Sequence, residues 1–315
     1  MATPYRYLYG PVPSRRLGRS LGIDLVPTKT CCLDCVFCQL GATPRKTTQR
    51  RVYVPTDQVR NEIEHWCRTQ GDADYITLSG SGEPTLHAEF GEVLAAVKAH
   101  CRVPVVLLSN GVLFSHPEVR AAACQADVVK FSLSAWDQAA FEWINRPDSR
   151  LTFDTMLAGQ KAFRQEFQGQ LWLEVFIMLG LNAMPSRVRR IAALAAEIAP
   201  DRIHLNTVTR PPAESFAVPV DDERLSALTE LFEPRAQIIH EFKPQGTKPL
   251  DADQESIMAI LKRRPCTSRQ IADVCGMHFY EVTKHLAALL KINQVRTANR
   301  HGAVYYVDAH REVAS

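Results

Sequence analysis

The sequence predicts an α/β protein: a partial (β/α)6 barrel of the TIM-like kind joined to a C-terminal winged helix-turn-helix domain. Two observations carry this. From residue 21 to about 240, short β-branched runs alternate with stretches of helical apolar spacing, the pattern of β/α units around a parallel sheet. Beyond Lys243-Pro-Gln-Gly-Thr-Lys-Pro-Leu-Asp, which reads as a linker, the pattern changes to helix, helix, turn, helix and hairpin. A length of 315 residues suits two folded units.

The expected layout is an extension over the barrel at 1–20, the barrel at 21–242, the linker at 243–252 and the winged domain at 253–315. Strands are expected at Leu21–Val26, Asp74–Ser79, Pro104–Ser109, Asp127–Leu133, Leu171–Leu179 and Arg202–Val208, with a seventh at Ala236–His240. Among the intervening helices, Phe90–His100 has helical apolar spacing. Pro185–Ile198 opens on Pro-Ser and puts Val188, Ile191, Leu194, Ala195 and Ile198 on one face. Six or seven units fall short of eightfold closure, so an open or partial barrel fits, with a doubly wound sheet as the competing layout. In the second domain, Gln254–Leu261 is a helix, Thr267–Val274 a capped helix, Cys275-Gly-Met a turn and His278–Leu290 an amphipathic helix. Val295–Val307 closes it as a hairpin around Asn299-Arg-His-Gly, the wing of the pattern.

Composition excludes several classes. With 46% hydrophobic residues, 15 glycines and 19 prolines, the chain is neither disordered nor collagen-like. No apolar run approaches the length of a membrane span and the opening residues have no signal-peptide core, so a cytoplasmic protein with no membrane partner is expected. Its 37 basic and 34 acidic side chains lack the excess of a strong nucleic-acid binder; residues 251–315 hold nine Lys or Arg against seven Asp or Glu. Contact of the winged domain with nucleic acid or protein remains open, through Lys284, Arg296, Arg300 and His301 in the former case.

Nine cysteines do not suggest a secreted disulfide framework, because four of them (Cys31, Cys32, Cys35 and Cys38) fall within eight residues and the rest are scattered. Thiolates so spaced wrap a zinc ion or an iron–sulfur cluster. Cys32-x2-Cys35-x2-Cys38 would begin a ferredoxin run, but the next required position holds Ala42, and zinc would need a fourth ligand that no distant pair supplies. Three local thiolates on a four-iron cluster leave one iron open to a substrate or cosubstrate.

Cys31-x3-Cys35-x2-Cys38 on the loop after the first barrel strand resembles the radical S-adenosylmethionine (SAM) superfamily. The resemblance implies a [4Fe–4S] cluster on Cys31, Cys35 and Cys38, with SAM chelating the open iron and being cleaved to methionine and a 5′-deoxyadenosyl radical. It places the backbone of Phe37 near the adenine and leaves Cys32 a surplus thiol. Gly80-Ser-Gly-Glu-Pro-Thr, after the second strand, resembles the family's Gly-Gly-Glu-Pro stretch and implies SAM binding by Gly80, Ser81, Gly82, Glu83 and Pro84, with Glu83 and exposed carbonyls holding the ammonium. An electron donor such as flavodoxin or ferredoxin is implied as a partner.

Functional residues of β/α barrels gather at the carboxyl ends of the strands. Asn110, Ser132 and Ser134 stand at such ends and are expected to touch the ribose or carboxylate of SAM, while Asn182, Asn206 and Arg210 are expected to face substrate. Lys130, a lysine inside a strand, is expected to snorkel, pair with a carboxylate or form an imine. The run Gly10-Pro-Val-Pro-Ser-Arg-Arg would wrap the mouth and present Arg15 and Arg16 to an anionic substrate, or leave them solvated.

That run, the segment through Cys38-Gln-Leu-Gly, and Leu205-Asn-Thr-Val-Thr-Arg-Pro-Pro are similar to the iron–sulfur oxidoreductases related to the tRNA wyosine-base synthases, over residues 6 to 245. The synthases carry a second cluster on cysteines upstream of the motif; this sequence has none before Cys31, so their condensation reaction is not carried over. The expected function is hydrogen-atom abstraction by a radical SAM oxidoreductase or transferase, a tRNA base being one candidate substrate. The alternative is an iron–sulfur redox sensor that binds DNA, which would have no use for the Gly80–Pro84 stretch.

Overall fold

A computed structural model of the chain describes residues 5–14, 16–69, 71–239, 254–263, 265–300 and 302–310. Arg15 and the expected linker at 243–252 lie outside the described residues.

Eight strands form one sheet in chain order: β1 (Leu8–Ser14), β2 (Gly18–Ile23), β3 (Tyr75–Leu78), β4 (Val105–Leu108), β5 (Val128–Ser132), β6 (Gln170–Ile177), β7 (Arg202–Thr207) and β8 (Gln237–Ile238). β1 runs antiparallel to β2, and every later pair is parallel. A strand order that never reverses has no switch point, so the doubly wound alternative falls away. The connections carry α1 (Thr56–Thr69), α2 (Phe90–His100), α3 (Pro117–Ala123), α4 (Gln138–Ile144), α5 (Phe153–Glu166), α6 (Pro185–Ile198) and α7 (Asp222–Thr229).

Side chains alternate across the strands, and the two faces differ in chemistry. Ile76 and Leu78, Val105 and Leu107, Val129 and Phe131, Leu173 and Val175, and Ile203 and Leu205 are buried in the main hydrophobic core, against the helices. The opposite positions include Ser20, Thr77, Lys130, Glu174 and Asn206, which line a cavity inside the sheet. The outer face of the sheet is thus apolar, while the inner face sets these polar side chains among apolar ones such as Leu108 and Phe176.

The barrel begins earlier than the sequence suggests. Its first strand runs Gly18–Ile23 rather than Leu21–Val26, and the expected extension contributes the antiparallel edge strand β1. The reason is local: β2 faces the cavity with Ser20 and Gly22, so it shows no apolar run. Gly22 is required there, since a Cβ would sit 2.0 Å from the Tyr9 ring. Asp24 has left the strand to accept from the Ser81 amide at 3.0 Å.

The turn between β1 and β2 closes the barrel from below. Leu17 is 2% exposed and packs with Val106, Val128 and Trp172, each near the start of its strand. Leu17→Ala is expected to cost about 2–5 kcal/mol, read as a lowered denaturation midpoint; an unchanged midpoint would show that the floor does not depend on this plug.

The C-terminal unit consists of α8 (Gln254–Arg263), α9 (Ser268–Cys275), α10 (Phe279–Lys291) and the hairpin β9 (Val295–Arg300) and β10 (Ala303–Asp308). Thr267 and Gln270 form a capping box at α9, which ends on Gly276 at φ 62°, where a left-handed residue suits glycine. Ile257, Leu261, Ile271, Val282, Leu286, Leu289 and Val295 make its own core, onto which Val12 of β1 packs. On the other side, Tyr305 Oη donates to the Thr209 carbonyl at 3.1 Å, just after β7. The unit therefore spans the open side of the partial barrel, touching chain from both flanks of the sheet.

Cys67 of α1 and Cys101, which follows α2, are joined as a disulfide with Cα atoms 5.6 Å apart. Their separation of 34 residues gave no pairing signal in the sequence, because the contact depends on how α1 packs on α2. The other cysteines form no disulfide.

Candidate active site

The cavity inside the sheet has a volume of about 420 Å³. Leu17 and Arg16 lie at its floor, Phe37, Cys38 and Gln39 line it from the cysteine loop, and Ile260 of α8 lines it from the C-terminal unit.

The cysteine loop follows β2 and is stitched to the loop after β3. The Lys29 amide donates to the Ser81 carbonyl at 2.6 Å, and the Glu83 amide to the Thr30 carbonyl at 3.0 Å. Gly82 is required by this stitching, since a Cβ there would lie 2.0 Å from the Thr30 carbonyl oxygen. Gly80, at φ 133°, sits against the Asp24 carboxylate, which also accepts from the Ser81 hydroxyl. Gly80 and Gly82 both reach the cavity surface.

Each cysteine of the motif has a donor aimed at its sulfur. Lys29 Nζ donates to Cys38 Sγ and Asn145 Nδ2 to Cys35 Sγ, both at 3.3 Å. Asn110 Nδ2 lies 3.7 Å from Cys31 Sγ and 3.3 Å from Cys32 Sγ. Cys32 is fully buried in the main core. Burial holds its thiol protonated, and its hydrogen bond to Cys31 pulls the Cys31 thiol below its ordinary pKa. The surplus cysteine is thus a donor to the loop from beneath.

This donor set fits an iron–sulfur cluster. Three thiolates on one loop are half-exposed, while hydrogen bonds to sulfur and a lysine cation offset their charge, the protein's means of tuning such a group. Among the described residues no three His, Cys, Asp or Glu side chains converge as a single metal ion would need. A cube takes one thiolate per iron and needs its sulfurs apart.

The polar layer beneath is the feature that sequence reasoning missed. Glu174 of β6 receives Arg16 and Lys130 as ion-pair partners, and Asn206 Nδ2 donates to its Oε1 at 2.9 Å. Side-chain exposures are 15% for Arg16, 10% for Glu174 and 9% for Lys130. Arg16 is therefore a largely covered floor residue rather than a solvated one. Lys130 pairs with a carboxylate, one of the three roles open to it. The signal for Glu174 was present: an acid between apolar neighbours in Trp172-Leu-Glu-Val-Phe is as unusual as a lysine in that setting.

His204 lies on the same face of β7 as Asn206, its ring 5.3 Å from Trp172. Burial, aided by Arg16, Lys130 and Arg202, pushes its imidazole down to about 4 from 6.5. The unfolded chain takes up this proton below 6.5 and the folded chain only near 4, so stability is lost as pH falls through that window, by at most about 3 kcal/mol. His204→Gln is expected to flatten that part of the denaturation-midpoint profile; an unchanged slope would show that another group sets it.

Several expected contacts are corrected. Asn182 is fully buried, donating to the Ser134 and Phe176 carbonyls at 2.9 and 2.8 Å and accepting from the Met178 amide at 2.8 Å, so it braces a turn and does not face substrate. Ser134, 2% exposed, accepts from the Phe176 amide at 3.1 Å in the same corner, out of reach of a cavity ligand. The Glu83 carboxylate is 2% exposed and accepts from the Thr85 amide and hydroxyl, the Ser109 hydroxyl and the Asn110 amide at 2.6–3.1 Å. It ties two strand ends together. Pro84 is buried at the start of the short 3-10 turn that follows. Asn110 points at the cysteine sulfurs and anchors its own turn through Val112. Ser132 shares the inward face with Lys130, nearer the mouth, and Arg210 lines the cavity while donating to Gln39 Oε1 at 3.2 Å. Phe37 stacks on Phe176 with centroids 4.3 Å apart, a partner the sequence did not single out.

A model of the family described as "Radical SAM superfamily" matches residues 25–207, which span the cysteine loop and the barrel through β7. The chain belongs to the radical SAM superfamily. It is an enzyme of that class, and its cofactors are a [4Fe–4S] cluster and SAM. Within the superfamily it belongs with the UPF0026 proteins. It is 32% identical over 300 residues to one from Helicobacter pylori, covering 91% of this chain and 93% of that protein. It is 30% identical over 273 residues to one from Methanocaldococcus jannaschii, covering 84% and 85%. A Brachyspira hyodysenteriae protein named GTPase Obg is 32% identical over 305 residues, 95% of this chain, and the chain spans only 45% of its length. The radical SAM barrel is shared with anSMEcpe, solved with bound AdoMet, at a TM-score of 0.53 and 14% identity, covering 70% of this chain and 63% of that one. It is shared with Streptococcus suis SuiB at 0.52 and 15%, covering 69% and 48%. Among the described residues no helix is long and apolar enough to cross a membrane.

Proposed function

We propose that this chain is a hydrogen-abstracting radical SAM enzyme whose cluster is held by Cys31, Cys35 and Cys38 and whose substrate occupies the polar cavity below them. The observation that carries the reading is the backbone stitching of the cysteine loop to the Gly80–Pro84 loop, directly over that cavity. When bound, the cluster supplies the electron that splits SAM into methionine and a 5′-deoxyadenosyl radical. Lys29, Asn110 and Asn145 hold the sulfurs in place and lower the cost of their charge. Gly80 and Gly82 bring backbone to the cavity surface, and the stacked Phe37 and Phe176 offer a flat apolar wall for an adenine. Glu83 acts as the brace of the SAM loop. Leu17 below and Ile260 at the side wall the cavity, which favours the confinement that a radical intermediate needs.

The C-terminal unit is read as a winged helix domain, with α9 and α10 as the helix-turn-helix and β9–β10 as the wing. Its contacts with β1 and Thr209 support a role as the wall of the active site. A low-potential donor such as flavodoxin or ferredoxin would supply the electron, in a cytoplasmic setting. A tRNA base, the substrate suggested by the wyosine-synthase resemblance, would have to leave its stack to reach the cavity.

The test is anaerobic reconstitution with iron and sulfide, then addition of dithionite and SAM. Formation of 5′-deoxyadenosine is expected. A protein holding about four irons per chain, as one [4Fe–4S] cluster requires, that forms none with or without candidate substrates would return weight to the redox-sensor alternative.

A further inference from the structure

We infer that the basic segment at residues 43–53, fastened to the cysteine loop, is the docking face for an acidic one-electron carrier protein that reduces the cluster. The inference rests on the reading above for the cluster itself and adds where its electron enters.

The first argument is the distribution of charge. The whole chain carries a net charge of only +3. From Cys35 to Thr56 it has four basic side chains, Arg45, Lys46, Arg50 and Arg51, and no acidic one. The basic excess of the chain is therefore gathered beside the cysteine motif. Arg50 is spent on the fold, donating to the Thr85 and Ala88 carbonyls at 3.1 Å and pairing with Glu118. Lys46 is half-buried, with Nζ on the Pro147 carbonyl at 2.9 Å, while Arg45 and Arg51 are exposed. The Arg51 guanidinium lies 4.6 Å from the centre of the Tyr53 ring, and Val52 beside it is 46% exposed, so the face pairs cations with an apolar edge. Asp34, the nearest acid in the loop, accepts from the Thr43 amide at 2.6 Å and neighbours Arg146.

The second argument is position. The Thr47 amide donates to the Cys31 carbonyl at 3.0 Å and the Thr43 hydroxyl to the Leu33 carbonyl at 2.9 Å. Farther on, the Arg51 amide donates to the Leu86 carbonyl at 3.1 Å and its carbonyl accepts from the Ala88 amide at 2.9 Å. The segment is thus fixed along its length and lies one backbone hydrogen bond from a cluster ligand. None of its residues lines the cavity, to which the cysteine loop contributes Phe37, Cys38, Gln39 and Leu40. A partner seated here meets the cluster without standing in the way of a substrate. Redox partners need only a small, transient interface, and opposite charge steers their encounter. A nucleic acid would call for a broader basic surface than these few cations provide. In the step itself the carrier gives up one electron and the cluster gains it; no bond forms or breaks and no proton moves.

The test uses the reconstituted full chain, with fully reduced flavodoxin and a reduced ferredoxin as probes and dithionite as the small, protein-free reductant. Anaerobic stopped-flow follows bleaching of the cluster, and titration calorimetry with the oxidised carriers reads binding separately. At least one carrier is expected to reduce the cluster, more slowly as salt is raised. Arg45→Glu with Arg51→Glu is expected to slow that reaction about tenfold or more, the scale of electrostatic steering, and to weaken carrier binding. Iron content and bleaching by dithionite should stay as in the unaltered chain, which shows that the variant folds. Arg45→Lys with Arg51→Lys keeps the charge and should keep the rate. Arg235→Glu reverses an exposed charge just before β8 and should leave the rate unchanged. Reduction by neither carrier, an unchanged rate in the double Glu variant, or an equal loss with Arg235→Glu would overturn the docking face. Carrier-driven reduction kept while binding of bulk tRNA is lost would assign the segment to nucleic acid and overturn it likewise. None of these readouts needs SAM cleavage, so failure here is distinguishable from absence of 5′-deoxyadenosine with dithionite, which would sink the enzymatic reading instead.

Discussion

Alanine at Cys31, Cys35 or Cys38 is expected to leave the reconstituted protein with background iron and no 5′-deoxyadenosine, while Cys32→Ala keeps its cluster. The contrast follows from placement. The first three thiols are half-exposed on a loop over the cavity, whereas Cys32 is fully buried and held protonated. Losing one of three protein ligands removes a corner of the cluster's attachment. Losing Cys32 removes a donor to Cys31 and a small piece of core. Cys32→Ala should therefore lower thermal stability modestly and shift the cluster's reduction potential, since a hydrogen bond to a ligating sulfur is lost. Iron and sulfide analysis with potentiometry decides the matter. A cluster retained by Cys31→Ala but lost by Cys32→Ala would reassign the motif.

Glu174→Ala is expected to be among the most destabilising single changes in the barrel. It strips the shared carboxylate from two cations that are at most 15% exposed. Removing one partner of a buried pair costs about 3–5 kcal/mol, because the remaining charge is left uncompensated. For a domain of this size that corresponds to a drop on the order of 10 °C in Tm. Lys130 can relieve part of the cost by losing its proton, and Arg16 cannot. The double variant Glu174→Ala with Lys130→Met should then recover part of the loss, giving a measurable coupling in a double-mutant cycle of midpoints. Additive effects would mean that the two side chains do not interact in solution.

The alternation of strands and helices and the cysteine motif were legible because each depends on near neighbours in the chain. Helices α2 and α6 occupy the spans their apolar spacing indicates, and the capping box at Thr267 was visible as a local pattern. The first strand was misplaced because its inward face carries Ser20 and Gly22, and a strand facing a polar cavity does not look apolar. For the same reason Glu174 went unnoticed: its meaning lies in Arg16 and Lys130, 158 and 44 positions away in the sequence.

The sequence by itself determined the class of chemistry, since three thiols within eight residues make a local chelate whatever surrounds them. Tertiary structure alone decided what each polar residue does. Glu83, Asn182 and Ser134 stand at strand ends in the sequence, yet folding turns them inward to satisfy buried backbone amides, carbonyls and hydroxyls. Arg16, which the sequence left either at the mouth facing substrate or solvated, became the cavity floor, because the turn that holds it passes beneath the barrel and Leu17 anchors it there. Burial, not residue type, sets the partners that a polar side chain must find.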